Sequence, residues 1–201
     1  MKTYWMETRF EFLSLWRNPR FVIPTLSLPP LFYLFFGVAM SRGHQTKAMA
    51  LMMLVGYSVF GALTSAMYGL AVGLAHERGL GWLEVKRASP MPMTSYFAAK
   101  IAAAMAFAMI VQLMLSLLAA TVGHVELPAW QWAALAVSTL GAAIPFCALG
   151  LLVGTLTTAS ATPAVANLIA MPMAICSGLW IPIDFLPETM RRVAAFLPAC
   201  R

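Results

Sequence analysis

Charge is what this sequence has least of. Only 10% of its 201 residues are Asp, Glu, Lys or Arg, against about 25% in soluble domains, whose surfaces need charge to stay in water. No GxxxxGK[ST] phosphate loop occurs anywhere, so the chain lacks the usual backbone cradle for a nucleotide. The three cysteines, Cys147, Cys176 and Cys200, form no CxxC and no Cys/His group with ligand spacing. They read as small buried hydrophobes rather than metal ligands. His44 and His124 sit in connections without partners, and the fifteen methionines are scattered rather than clustered for a soft metal. No catalytic, cofactor-binding or metal-binding residue is expected. The Lys and Arg residues flank apolar runs and form no basic patch interleaved with aromatics, which argues against nucleic acid.

What fills the chain instead is apolar. Hydrophobic residues make up 61% of it and the mean hydropathy is +0.81. A globule of this length has too little interior to hide that surface from water, so lipid must be the solvent. A spanning helix needs about 20 apolar residues, because about 30 Å of hydrocarbon is covered at 1.5 Å per residue. Five stretches qualify: 21–40, 49–75, 101–122, 130–154 and 161–180. The last two share one apolar tract that must break, at Gly154, the Thr/Ser-rich run after it and Pro163. Barrel strands would alternate polar and apolar positions, whereas these runs are apolar throughout. The expected fold is all-α, a polytopic transmembrane helical bundle of five spans in a single domain covering 1–201.

The five stretches contain no Asp, Glu, Lys, Arg or His. An ion-coupled transporter needs a group that titrates or binds an ion at mid-membrane. An intramembrane hydrolase needs a general base or a metal. Both readings lose ground. The polar residues inside the stretches include Gln112, Asn167 and several Ser and Thr. Interhelical hydrogen bonding is their default role, with a substrate contact by Asn167 as the functional alternative. Gly69/Gly73 and Gly150/Gly154 have the GxxxG spacing that lets helices approach closely.

Lys and Arg also orient the chain. Lys2, Arg9, Arg17, Arg20, Arg78, Lys86, Arg87 and Lys100 fall on one side; Arg42, Lys47, Arg191, Arg192 and Arg201 fall on the other. Eight against five, weighted to the early segments, places the N-terminus in the cytoplasm. No cleavable signal sequence is expected ahead of the first span. Residues 3–18 read as an interfacial helix, with Trp5, Phe12, Leu13 and Trp16 near one face and Glu7, Glu11, Arg9 and Arg17 interspersed. Residues 181–201 read as an amphipathic tail on the outer side.

The richest segment is 76–100, HERGLGWLEVKRASPMPMTSYFAAK. Its first half suits a short charged helix, which Pro90 and Pro92 stop. Such a helix on a cytoplasmic connection is either a solvated loop or a docking element. The segment resembles the connection between the second and third spans of ABC-2-type permeases. In that family an E-R-x-x-G-x-L pattern leads to a basic pair, a Ser-Pro and a Tyr. The matching residues here are Glu77, Arg78, Gly81, Leu83, Lys86, Arg87, Ser89, Pro90 and Tyr96. Two further stretches resemble the family: WRNPRFVIPTLSLPPLFYLFFG, with Arg17, Pro19, Pro29 and Pro30, and CSGLWIPIDFLPETMRRVAAFLP, with Gly178, Pro182, Leu186, Pro187 and Pro198.

The resemblance implies a non-enzymatic permease subunit of an ATP-driven exporter in the inner membrane, moving an amphipathic, lipidic or drug-like substrate. It implies a homodimer or heterodimer lined by the first, second and fifth spans. A separate cytoplasmic ABC ATPase would dock on the N-terminal helix and on Glu77, Arg78, Gly81, Leu83, Lys86, Arg87 and Pro90. The family carries a sixth span after the Phe-Leu-Pro that matches 196–198, and this sequence ends at Arg201. A shortened permease is therefore the expectation, with a degenerate permease that only scaffolds partners as the alternative, and an ion-coupled transporter behind both.

Overall fold

The computed structural model describes residues 2–39, 46–88 and 92–176. Every regular element among them is helical. Helix α1 (Lys2–Trp16) turns at Arg17–Asn18 into α2 (Pro19–Phe32). Pro19 starts α2 where a missing N–H does no harm. Pro24, Pro29 and Pro30 lie inside it, and each removes a donor from the ladder. The chain responds by widening: Tyr33–Ala39 continues the same span as a π-helix.

The second span is one long rod of three pieces: α3 (Thr46–Thr64), a π-helical stretch Ser65–Val72, and α4 (Gly73–Gly79). A tight turn at Leu80–Gly81 leads to the short α5 (Trp82–Ala88). Gly81 has φ +75°, a left-handed value that disfavours any residue with a Cβ. Then come α6 (Met93–Thr121), α7 (Ala129–Leu156) and α8 (Thr162–Cys176).

Among the described residues, four helical rods are long and apolar enough to cross a bilayer: Pro19–Val38, Ala50–Gly79, Met93–Thr121 and Ala129–Leu156. The chain is thus an all-α polytopic membrane bundle. Over its described residues the fifth apolar helix is shorter, Thr162–Ala174. The last four residues drawn for the fifth span, and the whole tail 181–201, lie outside the described residues. The rod Ala50–Gly79 is the centre of the bundle, since 72% of its apolar window is buried against 33–39% for the other three. Outward residues such as Ile23, Leu113, Val137 and Ile144 are apolar too, as expected where lipid replaces water.

Small residues set a close approach of two backbones. The α7 glycines Gly150 and Gly154 face the π-helical stretch of the second span. A Cβ on either would sit 2.8 Å from a backbone carbonyl, that of Ala66 or Ala71. This GxxxG therefore packs helices within one chain. Gly69 of the other pair sits under Phe21, with a Cβ position 3.2 Å from the ring, whereas Gly73 faces open space. Between α6 and α7, Thr139 donates to Gln112 Oε1 at 3.1 Å, and Gln112 donates to Ser116 at 3.0 Å. Both Gln112 and Thr139 are buried, so this polar pair satisfies itself inside the apolar bundle.

The α1 helix meets the bundle differently from its sequence pattern. Trp5 is 72% exposed and Leu13 and Trp16 are also exposed, while Glu11 is only 3% exposed. Phe12 and Trp16 do reach the buried Phe107 of α6, with centroids 5.1 and 6.0 Å away, and Phe21 meets the same ring edge-on at 5.0 Å. The innermost face of α1 nevertheless carries a carboxylate, for the reason given below.

The packing predicts a contrast within α7. Gly154→Val drives a side chain into the Ala71 backbone and lowers stability by about 1–3 kcal/mol. Gly141→Ala, which meets nothing within 4 Å, raises it by roughly 0.5–1 kcal/mol through helix propensity. Denaturation of the two variants in detergent micelles checks both signs.

Candidate functional site

Two features occupy the same end of the bundle, where α1, the α4–α5 turn, the start of α6 and the α7–α8 loop meet. The first is a buried knot of charge. Lys100, on the third-span helix, is 4% exposed. Its Nζ donates to Glu11 Oε2 of α1 at 2.9 Å and to Glu77 Oε1 of α4 at 2.7 Å. The Tyr96 hydroxyl donates to the other Glu77 oxygen at 2.6 Å. Lys86 of α5 pairs with Glu7, lies 3.8 Å from Glu11 and sits 4.3 Å above the Tyr96 ring. Tyr4 and Thr94 add a hydroxyl contact of 3.3 Å between α1 and α6. Three carboxylates thus share two ammonium groups, and four helices are tied together.

The depth of the knot follows from helix length. The 29 residues of α6 span about 43 Å at 1.5 Å per residue, more than the roughly 30 Å of hydrocarbon. Its first turns therefore stand in the interface. The helix begins at Met93 rather than at 101, which brings Lys100 into it. Burial is the main influence on Glu11 and pushes its carboxyl above the ordinary value of 4.5. Lys100 pulls it back and Glu77 pushes it up again.

The residues singled out in the connection divide by role. Glu77 and Lys86 turn inward to the knot, as just described. Arg78 donates to the carbonyls of Thr157 at 3.1 Å and Gly154 at 3.4 Å, covering the C-terminal end of α7, where carbonyls lack helical partners. Gly81 makes the turn and Leu83 is half-buried. Arg87 lies on α5, and Pro90 falls outside the described residues. What the turn presents outward is mainly apolar: Leu80, Trp82 and Val85 are 61%, 55% and 63% exposed, with Glu84 exposed beside them. Glu7, Glu11 and Lys100 were not singled out from sequence. Their signal was present: Glu7 and Glu11 stand at i, i+4, on one face of a helix beside a membrane, and such a face requires cations.

The second feature is a cavity of about 830 Å³ between α2, the second span and α8. Apolar walls come from Pro24, Leu28, Phe32 and Phe60, and Asn18, Arg20 and His76 stand at the knot end. Asn167 lines it from α8, with its Oδ1 accepting a hydrogen bond from Tyr68 of the π-helical stretch. Among the described residues, no group of three or more His, Cys, Asp and Glu is placed to hold a metal ion.

The knot predicts unequal mutational costs. Lys100→Met leaves two carboxylates facing each other without their shared cation and lowers stability by about 3–5 kcal/mol. A raised carboxyl favours the protonated form in the fold. Glu11 therefore contributes stability that is complete below pH 4.5 and is lost as pH rises through its higher folded value. Glu11→Gln removes that loss, so its stability relative to wild type improves between pH 4.5 and 8. Denaturation curves across that range read both effects.

Comparison with known proteins meets this geometry. No solved structure matches the chain. A Bacillus subtilis (strain 168) protein, YvfS, a transport permease by name, is 27% identical over 184 residues, covering 91% of this chain and 75% of its own length. The family model of the ABC-2 type transporter matches residues 3–199, nearly the whole sequence. The chain belongs to the ABC-2 type transporter family, as a multi-pass membrane permease.

Proposed function

We propose that this chain forms the membrane pathway of an ATP-driven exporter, moving an amphipathic, lipidic or drug-like substrate through the cell (inner) membrane. A separate ABC ATPase supplies the energy, and two permease chains, identical or related, work together. The observation that carries this reading is the charge knot. It ties α1 and the α4–α5 connection rigidly to the second and third spans, so a push on the connection moves the spans as one body. The cavity beside the second span then changes shape with them.

On this reading the docking element is the connection Glu77–Pro90 together with α1, and its parts have different tasks. Leu80, Trp82 and Val85 give apolar contact area, with Leu83 half-buried among them and Gly81 making the turn; Arg87 and Pro90 belong to the element by sequence. Glu77, Arg78 and Lys86 hold it in place from behind. The knot end carries Arg9, Arg17, Arg20, Arg78, Lys86 and Lys100, a positive excess that supports a cytoplasmic position for it and for the N-terminus.

Co-purification with the candidate ATPase in detergent tests the assignment. Wild type retains the ATPase. Trp82→Asp combined with Leu80→Asp releases it while the permease keeps its denaturation midpoint. Glu77→Lys lowers that midpoint, because it places a cation beside Lys100. Failure of wild type to retain any ATPase, or retention undiminished by the Asp pair, contradicts the docking assignment and favours a scaffold without transport.

A further inference from the structure

The cavity has a gradient of polarity along its length that specifies more than a generic apolar ligand. Its walls along α2 and the second span are Pro24, Leu28, Phe32 and Phe60. Its mouth, beside the knot, carries Arg20, His76 and Asn18. Among the described residues, no Asp or Glu lines it. The nearest carboxylate in sequence, Glu77, is already engaged by Lys100 and Tyr96. Among the described residues no carboxylate lines the mouth opposite the guanidinium of Arg20, and the imidazole and the amide offer further donors.

Dimensions agree with an amphiphile. From Arg20 to Phe32 the wall follows twelve helical steps of α2, about 18 Å at 1.5 Å per residue. One leaflet of hydrocarbon is about 15 Å, half of about 30 Å. A head at the interface and a chain reaching toward mid-membrane fit that length. The volume of about 830 Å³ falls in the range of small-molecule sites, about 300–1,000 Å³.

We propose that this cavity takes an amphiphile with an anionic headgroup, held at the mouth by Arg20 with His76 and Asn18, its chain lying along Pro24, Leu28, Phe32 and Phe60. This deepens the exporter reading and rests on it: the cavity is the pathway, and Arg20 selects by charge what enters. Cationic amphiphiles meet the same walls and the wrong sign at the mouth. Free inorganic phosphate matches the mouth and gains nothing from the walls.

Gly73 provides a control. It lines the cavity, and a Cβ there meets nothing within 4 Å. Gly73→Leu therefore fills the space without disturbing the packing. The probes are radiolabelled dodecyl phosphate and dodecyltrimethylammonium, equilibrated with the purified chain in non-ionic detergent, and inorganic phosphate as competitor. Dodecyl phosphate binds wild type at least about tenfold more tightly than the ammonium, as one charge-assisted contact provides. Arg20→Gln abolishes that preference, Gly73→Leu abolishes binding of both, and inorganic phosphate does not compete. Equal binding of both probes to wild type, lost in Gly73→Leu, overturns the charge selection and leaves the cavity as pathway. Binding of both undiminished by Gly73→Leu overturns the cavity itself. Competition by inorganic phosphate overturns the amphiphile and leaves an anion site alone.

Discussion

An ammonium group out of water must be answered by carboxylates, and in this bundle that requirement fixes where three separate parts of the chain lie. Lys100 stands on the third-span helix, 4% exposed, where an unpaired charge costs several kcal/mol. Glu77 comes to it from the end of the second span and Glu11 from the helix that precedes the first. The face that α1 turns to the protein is decided by this pairing more than by its aromatics. Trp5 is left outside because the geometry that brings Glu11 to Lys100 points it away. Burial, more than the neighbouring Glu77, raises the Glu11 carboxyl, and Lys100 offsets part of that rise.

Beyond the knot, the bundle has little directional chemistry. Lipid solvates the outside as well as side chains fill the inside, so shape does what hydrophobicity does in water. The glycines on α7 admit the widened π-helical turn of the second span. The prolines of α2 loosen the first span into a second π-helical stretch. Helices wound at different radii do not fill space evenly, and the gap left beside Tyr68 and Phe60, against α2 and α8, is the cavity. The mouth of that gap adjoins the knot, since His76 and Glu77 are neighbours with opposite tasks. One faces the cavity and the other faces Lys100.

Much of this was legible in the sequence. A chain with so few charges and such long apolar runs has only the helical membrane bundle open to it, and the connection 76–100 carried the resemblance that the family comparison bears out. The direction of side chains was less legible. Glu77 and Lys86 read as docking charges because they lie on a short polar connection, yet the structure turns them inward, Lys86 to Glu7, 79 residues away in sequence, and Glu77 to Lys100 and Tyr96 of α6. Lys100 read as a flanking charge because the apolar run begins one residue later, whereas the helix starts at Met93. The cavity was illegible for a plainer reason: its walls come from three spans, and hydropathy sees each span alone. Asn167 was flagged, but its partner Tyr68 follows only from the packing.

The central claim is that Glu11 and Lys100 act as one energetic unit joining α1 to the spans. A double-mutant cycle on Glu11→Gln and Lys100→Met, read by denaturation in micelles at neutral pH, tests it most directly. The account predicts that losing Lys100 costs at least about 1 kcal/mol less once Glu11 is neutral, since one stranded carboxylate has been removed. Equal costs in the two backgrounds would contradict it, and α1 would then be held by its aromatic contacts and the Glu7–Lys86 pair.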